Sequence, residues 1–209
     1  MDIERMQNAM ADLEEDALLE EARAAAEEKG PSLDHAVWAM QKGMETVGER
    51  FETGEYFVGD LIFAGEIMTE AMDILKPAMT EGSAAAAGRI ILCTVKDDLH
   101  DIGKNIVRAM LEAAGIEVVD LGVDTPAEKI VATAQQEGIS VIALSGVLTL
   151  ALDSMKAVVD AFAAAGLRES VKIIIGGAPV SEEACARIGA DEWAHSPQKT
   201  VDTCKAWLA

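Results

Sequence analysis

Aromatic and basic residues are scarce in this chain. Only 4 % of its 209 residues are aromatic, whereas 50 % are hydrophobic, and alanine is abundant. This composition favours closely packed helices over an all-β sandwich. The 17 basic residues face 37 acidic ones, which gives a net charge of −20. Such a charge repels nucleic acid and anionic lipid, so we expect no nucleic-acid partner and no membrane partner.

Cysteine and long apolar runs are also rare. Cys93, Cys185 and Cys204 are odd in number and lack the spacing of a metal site, so we expect free thiols in a reducing compartment. No apolar run reaches the roughly 18 residues that a membrane span needs. The first residues are acidic and amphipathic, unlike a signal peptide. These features predict a cytoplasmic protein.

The first part of the chain has a helical period. Apolar residues recur at three- and four-residue steps up to about Met79, including the run of Met6, Met10, Leu13, Ala17 and Leu18. Breaks are expected at 29–32, where Ser32 is a candidate N-cap, and at 53–55, and Pro77 should close the last helix. We therefore predict an antiparallel bundle of three or four helices over residues 1–82, followed by a small-residue linker over 83–87.

From residue 88 onward the pattern changes to strands that alternate with helices. Five apolar runs are expected to be strands, at 89–95, 116–121, 139–144, 171–175 and, more weakly, 190–194. Continuous apolar strands separated by helices indicate a parallel sheet that is covered on both faces. The predicted fold of residues 88–209 is an α/β, doubly wound, flavodoxin- or Rossmann-like domain with strand order 2-1-3-4-5.

Three unusual loops should meet at one edge of this sheet. They follow the first, third and fourth strands and span Lys96–Asn105, Ser145–Thr149 and Gly176–Pro179. Ligands of doubly wound sheets bind beyond the carboxyl ends of the strands, next to the point where strand order reverses. The sequence therefore predicts a ligand site at this edge.

Asp98 and His100 are the residues of this edge that suit a metal. In an extended segment they point the same way, so Asp98 can accept a hydrogen bond from one imidazole nitrogen while the other faces outward. Ser145 is a candidate for extending this relay. One histidine does not hold zinc alone, but it suffices for a metal that arrives in a macrocycle. Glycines at 103, 146, 176 and 177 leave room beside the backbone for a bulky group.

These residues resemble the cobalamin-binding family, which includes methionine synthase, coenzyme-dependent mutases and the corrinoid proteins of methyltransferase systems. The family's three-part motif matches Asp98-Leu99-His100-Asp101-Ile102-Gly103, Ser145-Gly146-Val147 and Gly176-Gly177. Val147 departs from the usual leucine, which is present next to it as Leu148. The resemblance implies a corrinoid cofactor with His100 as the axial ligand of cobalt. It also implies a slot for the displaced nucleotide tail, lined by Ser145, Thr149, Gly176 and Gly177.

The helical part decides between members of that family. Gly48–Leu61 and Leu75–Pro77 resemble the helical cap of methyl carriers, which shields the upper face of cobalt. Phe57, Leu61, Ala64 and Met68 are the candidates for this shield, although each could equally be bundle core. The resemblance implies a hinge at 81–88 through which the cap moves.

By this resemblance, the protein is a non-catalytic carrier in the corrinoid-dependent methyltransferase (demethylase) systems of anaerobic one-carbon metabolism. Cobalt(I) would accept a methyl group inside a substrate-specific methyltransferase, and methyl-cobalt(III) would pass it to a second methyltransferase, with tetrahydrofolate as the expected acceptor. A reductive activating protein would be the third partner. Aryl methyl ethers are slightly favoured as methyl donors over methylamines, betaines and methanol. A mutase subunit and a cobalamin-sensing regulator are the alternatives.

Overall fold

A computed structural model describes residues 1–79 and 88–209, which divide into a helical unit and an α/β unit. The helical unit comprises residues 1–79, and the short stretch 113–115 groups with it. The α/β unit comprises the remainder of 88–209. The predicted boundary at residue 82, the linker at 83–87 and most of the hinge at 81–88 lie outside the described residues.

Four helices form the helical unit: α1 (Ile3–Ala11), α2 (Glu15–Glu28), α3 (Pro31–Glu52) and α4 (Val58–Leu75). α1 packs against α3, and α4 packs against α2 and α3. A 3-10 turn (Lys76–Ala78) follows α4, as expected from Pro77. No described helix is long and apolar enough to cross a membrane.

Two details of the helical unit differ from the sequence prediction. Ser32 is not the N-cap of α3, because Gly30, with a φ of +59°, takes that position and Pro31 begins the helix. Proline suits the first helical position, since its missing N–H has no partner there. The hydroxyl of Ser32 instead donates to Glu28 at 2.7 Å. Leu13, which fitted the helical period, lies in the break between α1 and α2 with a φ of +59°.

The α/β unit contains the predicted five-stranded parallel sheet. Its strands are β1 (Arg89–Thr94), β2 (Glu117–Asp120), β3 (Val141–Ser145), β4 (Lys172–Gly176) and β5 (Glu192–Ala194), in the order β2-β1-β3-β4-β5. The intervening helices are α5 (Ile102–Ala113), α6 (Ala127–Glu137), α7 (Ala151–Ala164), α8 (Glu182–Ile188) and the C-terminal α9 (Pro197–Leu208). The prediction of a doubly wound domain with this strand order is confirmed.

The register of the sheet brings the ends of four strands level. Thr94 pairs with Ser145, Ser145 with Gly176, and Gly176 with Ala194. One sheet face and the helices α6, α7 and α8 form a continuous apolar core, in which Phe162 is fully buried. The loops that follow β1, β3, β4 and β5 therefore begin side by side at the carboxyl edge, where the site was predicted.

Candidate functional site: the carboxyl edge of the sheet

His100 lies at the carboxyl edge with one ring nitrogen held by Asp98, and within residues 1–79 and 88–209 no hydrogen bond reaches the other ring nitrogen. Its Nδ1 lies 2.9 Å from Oδ1 of Asp98, and its side chain is 53 % exposed. Asp98, two residues earlier, is fully buried. A carboxylate at Nδ1 fixes the proton there and leaves Nε2 as a lone-pair donor. The orientation that the sequence predicted for this pair is confirmed.

Asp98 accepts four hydrogen bonds. Oδ1 takes the backbone N–H of His100 at 3.0 Å as well as its ring, and Oδ2 takes the N–H groups of Val147 at 2.7 Å and Leu148 at 3.1 Å. Burial alone would raise the pKa of Asp98, but these donors together outweigh it and hold the pKa below its ordinary value. Asp98 is therefore a carboxylate that ties the loop after β1 to the loop after β3.

The Ser145 relay predicted from the sequence is not formed. The two amides after β3 occupy Oδ2 of Asp98, and Ser145 is not among the hydrogen-bond donors to that carboxylate in residues 88–209. The physical reason is that the backbone N–H groups of Val147 and Leu148, rather than the Ser145 hydroxyl, meet Asp98. Ser145 instead lines a cavity beside the strand ends.

The loop that carries His100 is also anchored to the loop after β2, which the sequence analysis missed. Asp124 Oδ1 accepts the N–H of Asp97 at 2.7 Å. The N–H of Asp124 donates to Thr94 Oγ1 at 2.9 Å, and that hydroxyl donates to the carbonyl of Asp98 at 2.5 Å. Asp97 and Asp124 both have left-handed backbones, with φ of +66° and +51°. The turn sequence Gly122-Val123-Asp124-Thr125-Pro126 was the signal that could have revealed this anchor.

Large apolar side chains are exposed at the same edge of the sheet as His100. Every large apolar side chain that is exposed in the described α/β unit lies after β1, β2 or β3, either in the loop or, for Ile102, at the first residue of α5: Leu99, Ile102, Val123, Val147, Leu148 and Leu150. We refer to these six residues as the apolar rim. An exposed apolar cluster at a loop edge is typical of a ligand or partner surface. Of the predicted contacts Asp101, Ile102, Val147 and Leu148, the last three belong to this rim.

A cavity of about 130 Å³ opens beside the strand ends. Its lining includes Gly103 and Lys104 of α5 together with Ser145, Gly176 and Gly177, three of the four residues expected at the slot; the fourth, Thr149, is not part of it. A Cβ added to Gly103 would meet no atom within 4 Å, whereas one at Gly177 would overlap the carbonyl oxygen of Gly146. Glycine at 177, where φ is +123°, thus allows the loops after β3 and β4 to touch.

Lys104 is a second buried group that the sequence analysis missed. Its ammonium is 3 % exposed and pairs with Asp120 at 2.5 Å, at the end of β2. Arg108 lies 3.5 Å from the same carboxylate, and the pair with Lys104 lowers the pKa of Asp120 against the effect of its burial. Lys104 therefore lines the cavity with its charge already paired to Asp120.

The four candidates for a shield in the helical unit do not share one exposed face. Leu61, Ala64 and Met68 are at most 4 % exposed, on the α4 surface that packs in the bundle. Phe57 is 70 % exposed, and its exposed apolar neighbours are Val58 and Ile62. Burial at 61, 64 and 68 is the pattern expected of bundle core, which was the alternative for each of these residues, and the shield stays a prediction.

Comparison with known proteins identifies the family. The sequence profile of the B12 binding domain matches residues 88–201, and a second profile of the same description matches residues 2–76. The chain belongs to the B12 binding domain family. Its cofactor is accordingly a corrinoid with its cobalt, as the resemblance implied. Residues 88–201 contain Asp98, His100 and every residue that lines the cavity.

Relatives of this B12-binding chain match it over nearly their whole length. A corrinoid protein of Desulfitobacterium hafniense is 37 % identical over 96 % of this chain and 94 % of its own. A dimethylamine corrinoid protein of Methanosarcina acetivorans is 36 % identical over 99 % of this chain and 97 % of its own. Full-length matches to such proteins cover the helical unit as well as the α/β unit.

Solved structures also match this chain over nearly its whole length. A cobalamin-binding protein from Desulfitobacterium hafniense has a TM-score of 0.86 and 48 % identity, covering 100 % of this chain and 99 % of its own. The methanol:cobalamin methyltransferase complex of Methanosarcina barkeri matches with a TM-score of 0.80 and 26 % identity, covering 99 % of this chain and 79 % of the matched chain. The predicted family and fold are thus confirmed.

Proposed function

We propose that this protein is a methyl-carrying corrinoid protein in which His100 is the protein ligand of cobalt. The observation that carries the proposal is the free Nε2 of His100, whose Nδ1 is fixed by buried Asp98 and which stands within the apolar rim. When bound, the corrinoid supplies the cobalt centre that accepts and donates a methyl group. The relatives named as corrinoid proteins of methylamine systems support the carrier role.

The residues of this chain fit a large planar cofactor. The exposed leucine, isoleucine and valine side chains of the rim offer an apolar surface to its ring, and Gly103 leaves the cavity entrance unobstructed. Asp98 orients His100 and raises its basicity, because a carboxylate hydrogen bond favours electron donation from the opposite nitrogen. The nucleotide tail, displaced from cobalt by His100, would occupy the cavity beside Ser145 and Gly176.

The partners and the methyl donor are part of the same proposal. A substrate-specific methyltransferase is supported by the solved methanol:cobalamin methyltransferase complex. A tetrahydrofolate-dependent second methyltransferase and a reductive activating protein complete the proposed system. The relatives named for dimethylamine and trimethylamine favour a methylated amine as donor over the aryl methyl ether expected from the sequence. Three free, buried thiols suit a reducing compartment such as the cytoplasm.

The helical unit has a proposed role in excluding water and oxidants from the reactive metal. Phe57, with its exposed neighbours Val58 and Ile62, is the first candidate for this role, and the buried Leu61, Ala64 and Met68 are the further candidates. Apolar groups protect a reactive centre without coordinating it.

Replacing His100 tests the central assignment. His100→Ala should retain the fold, because the side chain is half exposed, but remove the protein-derived nitrogen splitting from the cobalt(II) electron paramagnetic resonance spectrum. Labelling the protein's histidines with ¹⁵N should convert the wild-type triplets to doublets. His35→Ala, an exposed histidine of α3, is the matched control and should leave the spectrum unchanged. A nitrogen splitting that stays the same after ¹⁵N labelling and after His100→Ala would disprove ligation by His100.

A further inference from the structure

The floor of the cavity is flanked by two polar side chains. Ser145, Gly176 and Ala194 lie side by side at the ends of β3, β4 and β5, and His195 follows Ala194. Neighbouring strands are about 4.8 Å apart, which places Ser145 and the end of β5 on opposite sides of a glycine strip some 10 Å across. Both Ser145 and His195 line the cavity.

Most other polar side chains of the lining are already engaged. Lys104 pairs with Asp120, and the hydroxyl of Thr200 donates to the carbonyl of Ser196 at 3.3 Å. Ser196 Oγ accepts the N–H of Lys199 at 3.1 Å as the N-cap of α9. Within residues 1–79 and 88–209, the Ser145 hydroxyl and the His195 ring form no hydrogen bond with a protein group. These two groups are therefore available to a ligand.

The ring of His195 is held in place without hydrogen bonding. It packs edge-on against Trp193, with ring centroids 4.8 Å apart and planes at 81°. Trp193 is in turn covered by the ammonium of Lys199, 4.6 Å from its ring centre. An aromatic contact of this kind orients the imidazole without a hydrogen bond to its nitrogens.

The remaining wall of the cavity is apolar. It is formed by side chains of β1, β3, β4 and α5: Leu92, Ala143, Ile174 and Val107. An apolar interior with a hydroxyl and an imidazole at its edge suits a ligand that has a flat ring inside and oxygen or nitrogen atoms at the entrance. The nucleotide tail of a corrinoid has this chemistry.

We propose that His195 hydrogen-bonds the nucleotide tail and makes the protein select among corrinoids by that tail. The inference rests on the proposed function, since the tail enters the cavity only when it has left the cobalt. Ser145 and His195 then contact the tail from opposite sides of the Gly176–Gly177 floor. His195 is a specificity-determining residue, and the macrocycle itself is recognised elsewhere, at the apolar rim.

The test compares cobalamin with cobinamide, a corrinoid that lacks the nucleotide. Equilibrium dissociation constants are measured by absorbance for wild type, His195→Ala and His195→Gln in the full chain. Loss of one hydrogen bond should weaken cobalamin binding by about 3- to 10-fold in His195→Ala. Cobinamide binding should stay unchanged, and the glutamine variant, which retains a donor and an acceptor, should recover most of the loss.

The outcomes separate this inference from the proposed function. If His195→Ala weakens the binding of cobalamin and cobinamide equally, His195 acts on the macrocycle or the fold. If neither affinity changes, His195 does not contact the tail. Either result overturns the inference. In the wild-type cobalamin complex, cobalt(II) nitrogen splitting from the cofactor's own base would instead refute the proposed function. Histidine splitting together with an unchanged cobalamin-to-cobinamide ratio refutes only the role of His195.

Discussion

Asp98 is a buried carboxylate whose charge is balanced by four N–H groups rather than by a cation. Two of them come from His100 and two from the amides of Val147 and Leu148, 49 and 50 residues further along the chain. Burying an ionised group without such partners would cost several kcal/mol. The same four bonds that stabilise the charge also fix the direction of His100.

Asparagine at position 98 should break this balance. Its amide offers one acceptor oxygen and one NH₂ group. The NH₂ group must therefore face either the two N–H groups of His100 or the amides of Val147 and Leu148, which are all donors. We expect Asp98→Asn to lower the free energy of unfolding of the apoprotein by about 1–3 kcal/mol at pH 7, measured by urea denaturation. Asp101→Asn, at an exposed position of the same loop, is the control and should change it by less than about 0.5 kcal/mol.

The pH dependence of that difference follows from the lowered pKa of Asp98. A carboxyl with a depressed folded-state pKa adds stability above its unfolded pKa of about 3.9 and loses it as pH falls through the folded value. The destabilisation by Asp98→Asn should therefore be full at pH 7 and shrink below about pH 4. A difference that stays constant down to pH 3 would show that the charge of Asp98 is not what the amides recognise.

Sequence could reveal part of this residue-level arrangement. The contact between Asp98 and His100 is local, since two residues in an extended segment share a side, so it was predictable. The amides of Val147 and Leu148 were not, because backbone groups of a loop some fifty residues away carry no side-chain signature. The Ser145 relay was predicted in their place, and it does not form because these two amides occupy Oδ2 of Asp98. His195 was not predicted as a site residue, because its contact with the Trp193 ring carries no signal in the sequence.

Between elements, the position of His100 depends on two neighbouring loops. The loop after β1 is tied to the loop after β3 by Asp98 and to the loop after β2 by Asp124. The strand runs and their order were predictable because apolar β-branched runs and a right-handed crossover rule leave few alternatives. The buried face of α4 was not predictable. Apolar residues lie both at the buried positions 61, 64 and 68 and at the exposed positions 58 and 62, and Phe57, just before the helix, is exposed as well.

Asp124 should be a positioning residue for His100. Asp124→Asn keeps a side-chain acceptor for the N–H of Asp97 and tolerates the left-handed backbone. Asp124→Gly tolerates that backbone but has no acceptor, and Asp124→Ala has no acceptor and does not favour that backbone. We expect corrinoid affinity to fall in the order Asn, Gly, Ala, with Ala weaker by about 10-fold, since a left-handed alanine costs about 1–2 kcal/mol. Absorbance titration measures the affinity, and broadened nitrogen splitting in cobalt(II) spectra should accompany it. Equal affinities for Asn and Ala would exclude this role.

At the scale of the whole molecule, the residues that build the site belong to one unit. Every hydrogen bond of Asp98 and every residue that lines the cavity lies between residues 88 and 209. A chain that begins at residue 80 should therefore still bind corrinoid, as measured by retained absorbance after gel filtration. Its cobalt(I) form should oxidise faster in stopped-flow experiments at a fixed oxygen level, because the apolar side chains of the helical unit are missing.

Phe57→Ala in the full chain is the matched variant for this experiment. It should raise the oxidation rate in the same direction while leaving corrinoid affinity unchanged, because Phe57 is exposed and contributes little to the bundle. Oxidation rates equal to wild type in both proteins would contradict a shielding role for the helical unit. Failure of the shortened chain to bind corrinoid would show that residues 1–79 help to retain the cofactor.

The apolar rim also affects the protein before any cofactor arrives. Six large apolar side chains at one edge favour self-association of the chain before it has bound the cofactor. A net charge of −20 opposes such encounters by mutual repulsion, which weakens as salt shortens the Debye length. Colloidal stability is thus supplied by charge until the corrinoid covers the rim, and high ionic strength is the condition in which the unloaded chain is least soluble.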